Sequence, residues 1–110
     1  MTPRQIELKR FKIEKGRRSA HKLILDGSEI ILDLNFHTEE GSRIPPMISV
    51  FFNGRVVWEE YLKKGEGMGQ NTHPVLSLPL RSKVGENSLV VIPVNTSIEL
   101  HRMTYRKVNS

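Results

Sequence analysis

From Glu29 to Phe36 the chain alternates without interruption: Ile30, Leu32, Leu34 and Phe36 share one side of an extended segment, and Glu29, Ile31, Asp33 and Asn35 the other. A period of two with one apolar side predicts a strand half-buried against a core. Ser88 to Val94 is apolar on both sides, with Leu89, Val91 and Pro93 opposing Val90, Ile92 and Val94. That predicts a central strand of a sandwich, and Pro93, which has no N–H for a ladder, marks its end or a bulge.

The other segments follow the same logic. Gln5 to Lys15 begins in one phase (Ile6, Leu8) and changes to the other (Phe11, Ile13), as a bulged strand does. Gly16-Arg17-Arg18-Ser19 breaks it, Lys22 to Leu25 is a short strand, and Asp26-Gly27 is a turn. Met47 to Phe52 and Arg55 to Tyr61 flank Asn53-Gly54, the pair favoured by a two-residue type I′ hairpin turn. Val75 to Leu80 is a strand with Pro79 near its end, and Val84-Gly85-Glu86-Asn87 carries Gly and Asn where a chain reversal is expected. The closing stretch has Ile98 and Leu100, then Met103 and Tyr105, so its phase slips near Arg102.

Two polar segments separate these strands. His37 to Pro46 ends in two prolines and reads as a crossover between sheets; Lys63 to His73 holds three glycines and no apolar period, and reads as a long surface loop. The sum is about eight short strands, no helix, and turn signals at regular spacing, which predicts an all-β antiparallel sandwich or barrel. At 110 residues it is expected to be one domain, residues 1–110.

Charge changes the picture at the two ends. Residues 1–22 hold eight Lys/Arg against two Glu, residues 101–110 hold three against no acid, and the middle is net acidic, giving +5 in all. If the first and last strands are neighbours, Arg10, Lys12, Arg17, Arg18, Arg102, Arg106 and Lys107 form one basic patch that could neutralise the phosphates of nucleic acid or another polyanion. The competing reading is that Lys and Arg on outward strand positions keep sheet edges from aggregating.

Chemistry-bearing motifs are few. There is no cysteine, hence no disulfide or thiolate metal site, and this fits a reducing compartment. The four histidines (His21, His37, His73, His101) are scattered without the spacing of a metal site, and no nucleophile elbow, phosphate loop or dinucleotide fingerprint is present. The expectation is therefore a non-catalytic protein without cofactor or metal. No apolar run reaches the ~18 to 20 residues that span a bilayer, and no signal peptide opens the chain, so an intracellular protein, or an excised domain, is expected and no membrane partner. Trp58, the one tryptophan, and Tyr61 sit beside the Gly-rich 63–73 loop, where a ring face with Gln70, Asn71 and His73 could hold a sugar or a base. Trp58 could equally be core on the Asn53-Gly54 hairpin. Glu59 and Glu60, adjacent on a strand, point to opposite faces, so at most one joins such a site.

The order of the pieces (EIILDLNF, VFFNGRVVWEEYL, LSLPLRSKVGENSLVVIPV, SIELHRMTYRK) resembles the galactose-binding-like jelly roll of carbohydrate-binding modules and glycosidase accessory domains. Members of that family often read V-x-V-N-G, L-P-L, G-x-N-x-L-x-V and a terminal I-x-L-x-x-I. The matching residues are Val50, Asn53, Gly54, Leu78, Pro79, Leu80, Gly85, Asn87, Leu89, Val91, Ile98 and Leu100. The resemblance implies a jelly roll and carbohydrate as the partner, met at Trp58, Tyr61, Gln70, Asn71 and His73. Several such modules carry a structural calcium completed by an acid on the last strand; His101 stands at the matching position, and a hard cation that wants oxygen ligands is not served by it. Self-association, as a building block of an oligomer or a viral particle, is the alternative from a different class.

Overall fold

The β-branched and large aliphatic residues of the alternating segments fold as strands, because each can bury one side while the backbone is satisfied by its neighbours. The computed structural model describes residues 4–7, 11–37, 47–61, 75–95 and 97–108. Among them nine strands occur: β1 (Arg4–Glu7), β2 (Phe11–Ile13), β3 (Ser19–Asp26), β4 (Glu29–His37), β5 (Met47–Phe52), β6 (Arg55–Tyr61), β7 (Val75–Arg81), β8 (Val84–Pro93) and β9 (Ile98–Lys107). β1 and β2 lie along the same side of β9, with Arg4 opposite Tyr105 and Phe11 opposite Leu100. They serve as two halves of one edge.

The strands make two antiparallel sheets. The first has the order β1-β9-β4-β7, with β2 also on β9; the second has the order β3-β8-β5-β6. Apart from β5 and β6, which form a hairpin, and β1 and β2, which both pair with β9, successive strands belong to opposite sheets. That winding is a jelly roll, and the fold class is the one expected.

The inner faces supply the core. Ile30, Leu32, Leu34 and Phe36 of β4 meet Ile48, Val50 and Phe52 of β5, Leu89 and Val91 of β8, and Leu100 and Met103 of β9, all of them buried. Burial of each such side chain stabilises the fold by about 1.5 to 3 kcal/mol. β8 is central, as its two-sided apolar pattern requires, and ends at Pro93. On β9 the register shifts between Asn35 and Phe36 of β4, which face Arg102 and Leu100, so His101 is the extra residue of a bulge.

Two local expectations are corrected. β3 is eight residues long rather than four, because β8 accompanies it from Val91 back to Val84. For the same reason the chain does not reverse at Val84-Gly85-Glu86-Asn87: the turn is at Ser82-Lys83, and Gly85 sits inside β8 at φ 99°. A partner strand overrides local turn chemistry there, and glycine absorbs the left-handed backbone that results.

Candidate functional site

Strand polarity sorts the connections onto two ends of the sandwich. One end carries tight turns. Asn53 (φ 51°) and Gly54 (φ 80°) make the type I′ pair, Gly27 (φ 89°) turns between β3 and β4, and Ser82 joins its turn to that one by donating from N and Oγ to the Ser28 carbonyl at 3.3 and 2.6 Å. The other end receives residues 14–18, 94, 95 and 97 and the strand termini that bracket 38–46 and 62–74. Its described turns are cross-linked: Lys15 N donates to Ser97 Oγ (3.0 Å), Ser97 Oγ to Glu14 Oε2 (3.2 Å), Gly16 N to the Pro93 carbonyl (2.7 Å), and Met47 N to Asn95 Oδ1 (2.7 Å).

β6 runs to that end along the outside of the second sheet. Val50 faces Trp58 while Phe51 faces Val56, so Val57 is the extra residue of a bulge. Because Val50 is core, Trp58 opposite it points inward; it is half-buried and packs on the core. Its indole Nε1 is buried without a hydrogen-bond partner, an arrangement that costs about 1 to 3 kcal/mol. Tyr61, opposite Met47, lies on the outer face and is 51% exposed. The two aromatic rings are therefore on opposite sides of β6 and do not form one platform. Glu59 and Glu60 also split as expected: Glu59 is outward and accepts from Ser49 Oγ at 3.2 Å, while Glu60 faces Ile48. Gln70, Asn71 and His73 lie outside the described residues.

A feature not anticipated is an apolar band on the outer face of the second sheet. Ala20 faces Val90, Val90 faces Phe51, and Phe51 faces Val56, with Ile92 and Tyr61 beside this row. The two-sided pattern of Ser88–Val94 and the paired Phe51-Phe52 are its sequence signal.

The basic candidates do not gather. The first and last strands are neighbours as supposed, yet their charges are spread along β9, whose ten residues span roughly 30 Å. Arg17 and Arg18 are exposed at the long-connection end, and Lys12 lies 4.0 Å from Glu14. Arg102 and Arg106 lie on the outer face of the first sheet, where Arg106 Nε donates to Asp33 Oδ2 at 3.3 Å and Ser77 Oγ donates to Asp33 Oδ1 at 2.6 Å. Lys107 is at the tight-turn end on Asp26, and Arg10 lies outside the described residues. The Lys107 ammonium, with the Ser28 hydroxyl and N–H, holds the Asp26 carboxyl well below the usual carboxylate range.

Among the described residues no group of three His, Cys, Asp or Glu is placed to hold a metal ion. An open depression of about 240 Å³ lies between β4 and β7, lined by Glu29, Ile30, Pro79, Leu80, Arg81 and Val108. It is at the tight-turn end, and smaller than the ~300 to 1,000 Å³ usual for small-molecule sites.

No protein-family model and no curated protein matches this sequence. Solved structures do match in fold. A family 35 carbohydrate-binding module from Clostridium thermocellum superposes with a TM-score of 0.69 at 10% identity, covering 97% of this chain and 98% of that one. The CBM36-1 domain of a multidomain xylanase from the hindgut metagenome of Trinervitermes trinervoides gives 0.65 at 5% identity, covering 99% and 98%. A family GH115 4-O-methyl-α-glucuronidase, described as specific for decorated arabinogalactans, gives 0.74 at 11% identity; the present chain is covered to 99% but spans only 16% of that enzyme. The chain thus has the fold of carbohydrate-binding-module sandwiches, a fold that also forms a small part of a glycosidase.

Proposed function

We propose that this chain is a non-catalytic module that binds carbohydrate at the long-connection end of the sandwich. The observation that carries the reading is the nearly complete two-way overlap with carbohydrate-binding modules, at 97% and 98% in one case and 99% and 98% in another. The gathering of 14–18, 94, 95, 97 and the strand termini that bracket 38–46 and 62–74 at one pole supports it, since loops on a rigid scaffold are where such folds place recognition. Among the described residues Tyr61 is an exposed ring at that pole, able to stack on a sugar face. Trp58 supports the strand from beneath, and Gln70, Asn71 and His73 would supply amide and imidazole hydrogen bonds to hydroxyls.

The reading by which basic ends bind a polyanion has less support. Lys12, Arg106 and Lys107 each lie on a carboxylate, and Lys107 is at the opposite end of the sandwich from Arg17 and Arg18. Affinity gel electrophoresis against xylan, arabinogalactan and other soluble polysaccharides, run beside heparin at rising salt, separates the two. Retardation by a neutral polysaccharide that Tyr61→Ala removes is the expected result. Retention on heparin alone, lost with salt, would overturn the carbohydrate reading.

A further inference from the structure

β3 is an outer strand of the second sheet, paired with β8 on one side. Among the described residues no other strand lies along it. Its free side presents a row of backbone N–H and C=O groups, the arrangement that natural sheets usually guard with proline, a bulge or charge. The other outer strands are guarded: β7 carries Pro79, β6 its bulge at Val57, and the β1 edge a register shift between Gln5 and Glu7. β3 has neither proline nor bulge, running in unbroken register from Ser19 opposite Val91 to Asp26 opposite Val84. It also holds Ile24, 74% exposed, on the same outer face as Val84, 80% exposed.

We propose that β3 is a homodimerisation edge, two copies pairing antiparallel about a twofold axis through Ile24 and joining their four-stranded sheets into one. In a twofold antiparallel pair, facing residues share a side of the sheet and their numbers have a constant sum. With the axis at Ile24, Ile24 meets the partner's Ile24, Lys22 meets the partner's Asp26, and Asp26 meets the partner's Lys22. The two exposed isoleucines cover each other and two opposite-charge pairs form across the joint. An axis one residue earlier sets Lys22 against Ile24, and one residue later sets Ile24 against Asp26; each opposes charge to an apolar side chain twice. The charges on this strand, which would guard it against strangers, are thus self-complementary in one register. Within the chain Lys22 lies 3.3 Å from Glu86, and Asp26 bonds Lys107, but the Lys22 and Asp26 side chains remain 78% and 54% exposed. An ammonium and a carboxylate each have capacity for a second partner.

Sedimentation equilibrium of the full chain over a concentration series tests this. The wild type moves toward twice the monomer mass. Lys22→Glu alone and Asp26→Lys alone each weaken the dimer about tenfold, because both cross-joint pairs become like-charged. An equimolar mixture of those two variants recovers association as a one-to-one heterodimer: the introduced glutamate of one faces the introduced lysine of the other, and the native Asp26 of the first faces the native Lys22 of the second. Ile24→Lys, at an exposed site where folding is unaffected, leaves a monomer with unchanged circular dichroism. A wild type that stays monomeric at about 1 mM, a dimer indifferent to Ile24→Lys, or a mixture with no heterodimer overturns the proposal.

Discussion

Nδ2 of Asn53 donates to Oδ1 of Asn87 at 2.9 Å, joining the β5–β6 turn to the interior of β8 across 34 residues. Asn53 Oδ1 in turn accepts from Ser88 N at 2.8 Å, and its own N–H bonds the Ser88 carbonyl at 2.9 Å. Asn87 is fully buried; its Oδ1 also accepts from Lys83 N, and its Nδ2 donates to the carbonyls of Lys83 and Gly85, each at 3.0 Å. Every hydrogen-bonding capacity of that amide is used.

Asn87→Ala should therefore lower stability by about 2 to 4 kcal/mol, read by urea unfolding, because several buried backbone groups lose their partner together. Asn87→Asp should cost at least as much at neutral pH, since a carboxylate oxygen would face the Lys83 and Gly85 carbonyls. Its folded-state pKa is then raised, so the deficit shrinks as pH falls through that raised value toward the ordinary carboxylate pKa, the group gaining an O–H to donate, and is constant below it.

Gly54→Ala and Gly27→Ala should cost about 1 to 2 kcal/mol each in the same assay, through left-handed backbone strain. At Gly54 a Cβ meets nothing within 4 Å; at Gly27 it comes to 3.2 Å of Val84 Cγ2, the tip of an exposed side chain that can give way. The two losses should agree within several tenths of a kcal/mol.

The Asp26 carboxyl, depressed by Lys107 and Ser28, stabilises the fold wherever it is ionised in both states. That contribution is present above the unfolded carboxylate pKa near ~4 and is lost as pH falls from there toward the folded value. Asp26→Asn should flatten the acid limb of a stability–pH profile; Lys107→Ala should do so partly, leaving the Ser28 bonds.

Tyr61→Ala should weaken polysaccharide retention about tenfold while shifting stability by no more than ~0.5 kcal/mol, as befits an exposed ring. Trp58→Ala should lower stability by about 2 to 4 kcal/mol, since that ring packs on the core, and Trp58→Phe should recover most of the loss. Paired gel retardation and thermal melts separate the two residues.

The sandwich is legible in the sequence because its strands repeat with period two and its turns carry Asn-Gly and Asp-Gly, both signals that act within a few residues. The β9 bulge is legible too, since Leu100 and Met103 are spaced by three. The β6 bulge is not: Val56, Val57 and Trp58 are all apolar, so no phase change marks the extra residue, and Trp58 and Tyr61 look like one group although they face opposite ways. Ion pairs such as Lys107 with Asp26 join residues far apart in sequence and have no local signature. Asn87 reads as a turn residue; its role as the buried acceptor for Asn53 arises from contact between strands.

Arg4 of β1 lies opposite Tyr105 of β9 as antiparallel neighbours. A tension applied between the described ends of this chain would load those bonds from one side, peeling β1 away a rung at a time rather than shearing the whole ladder together.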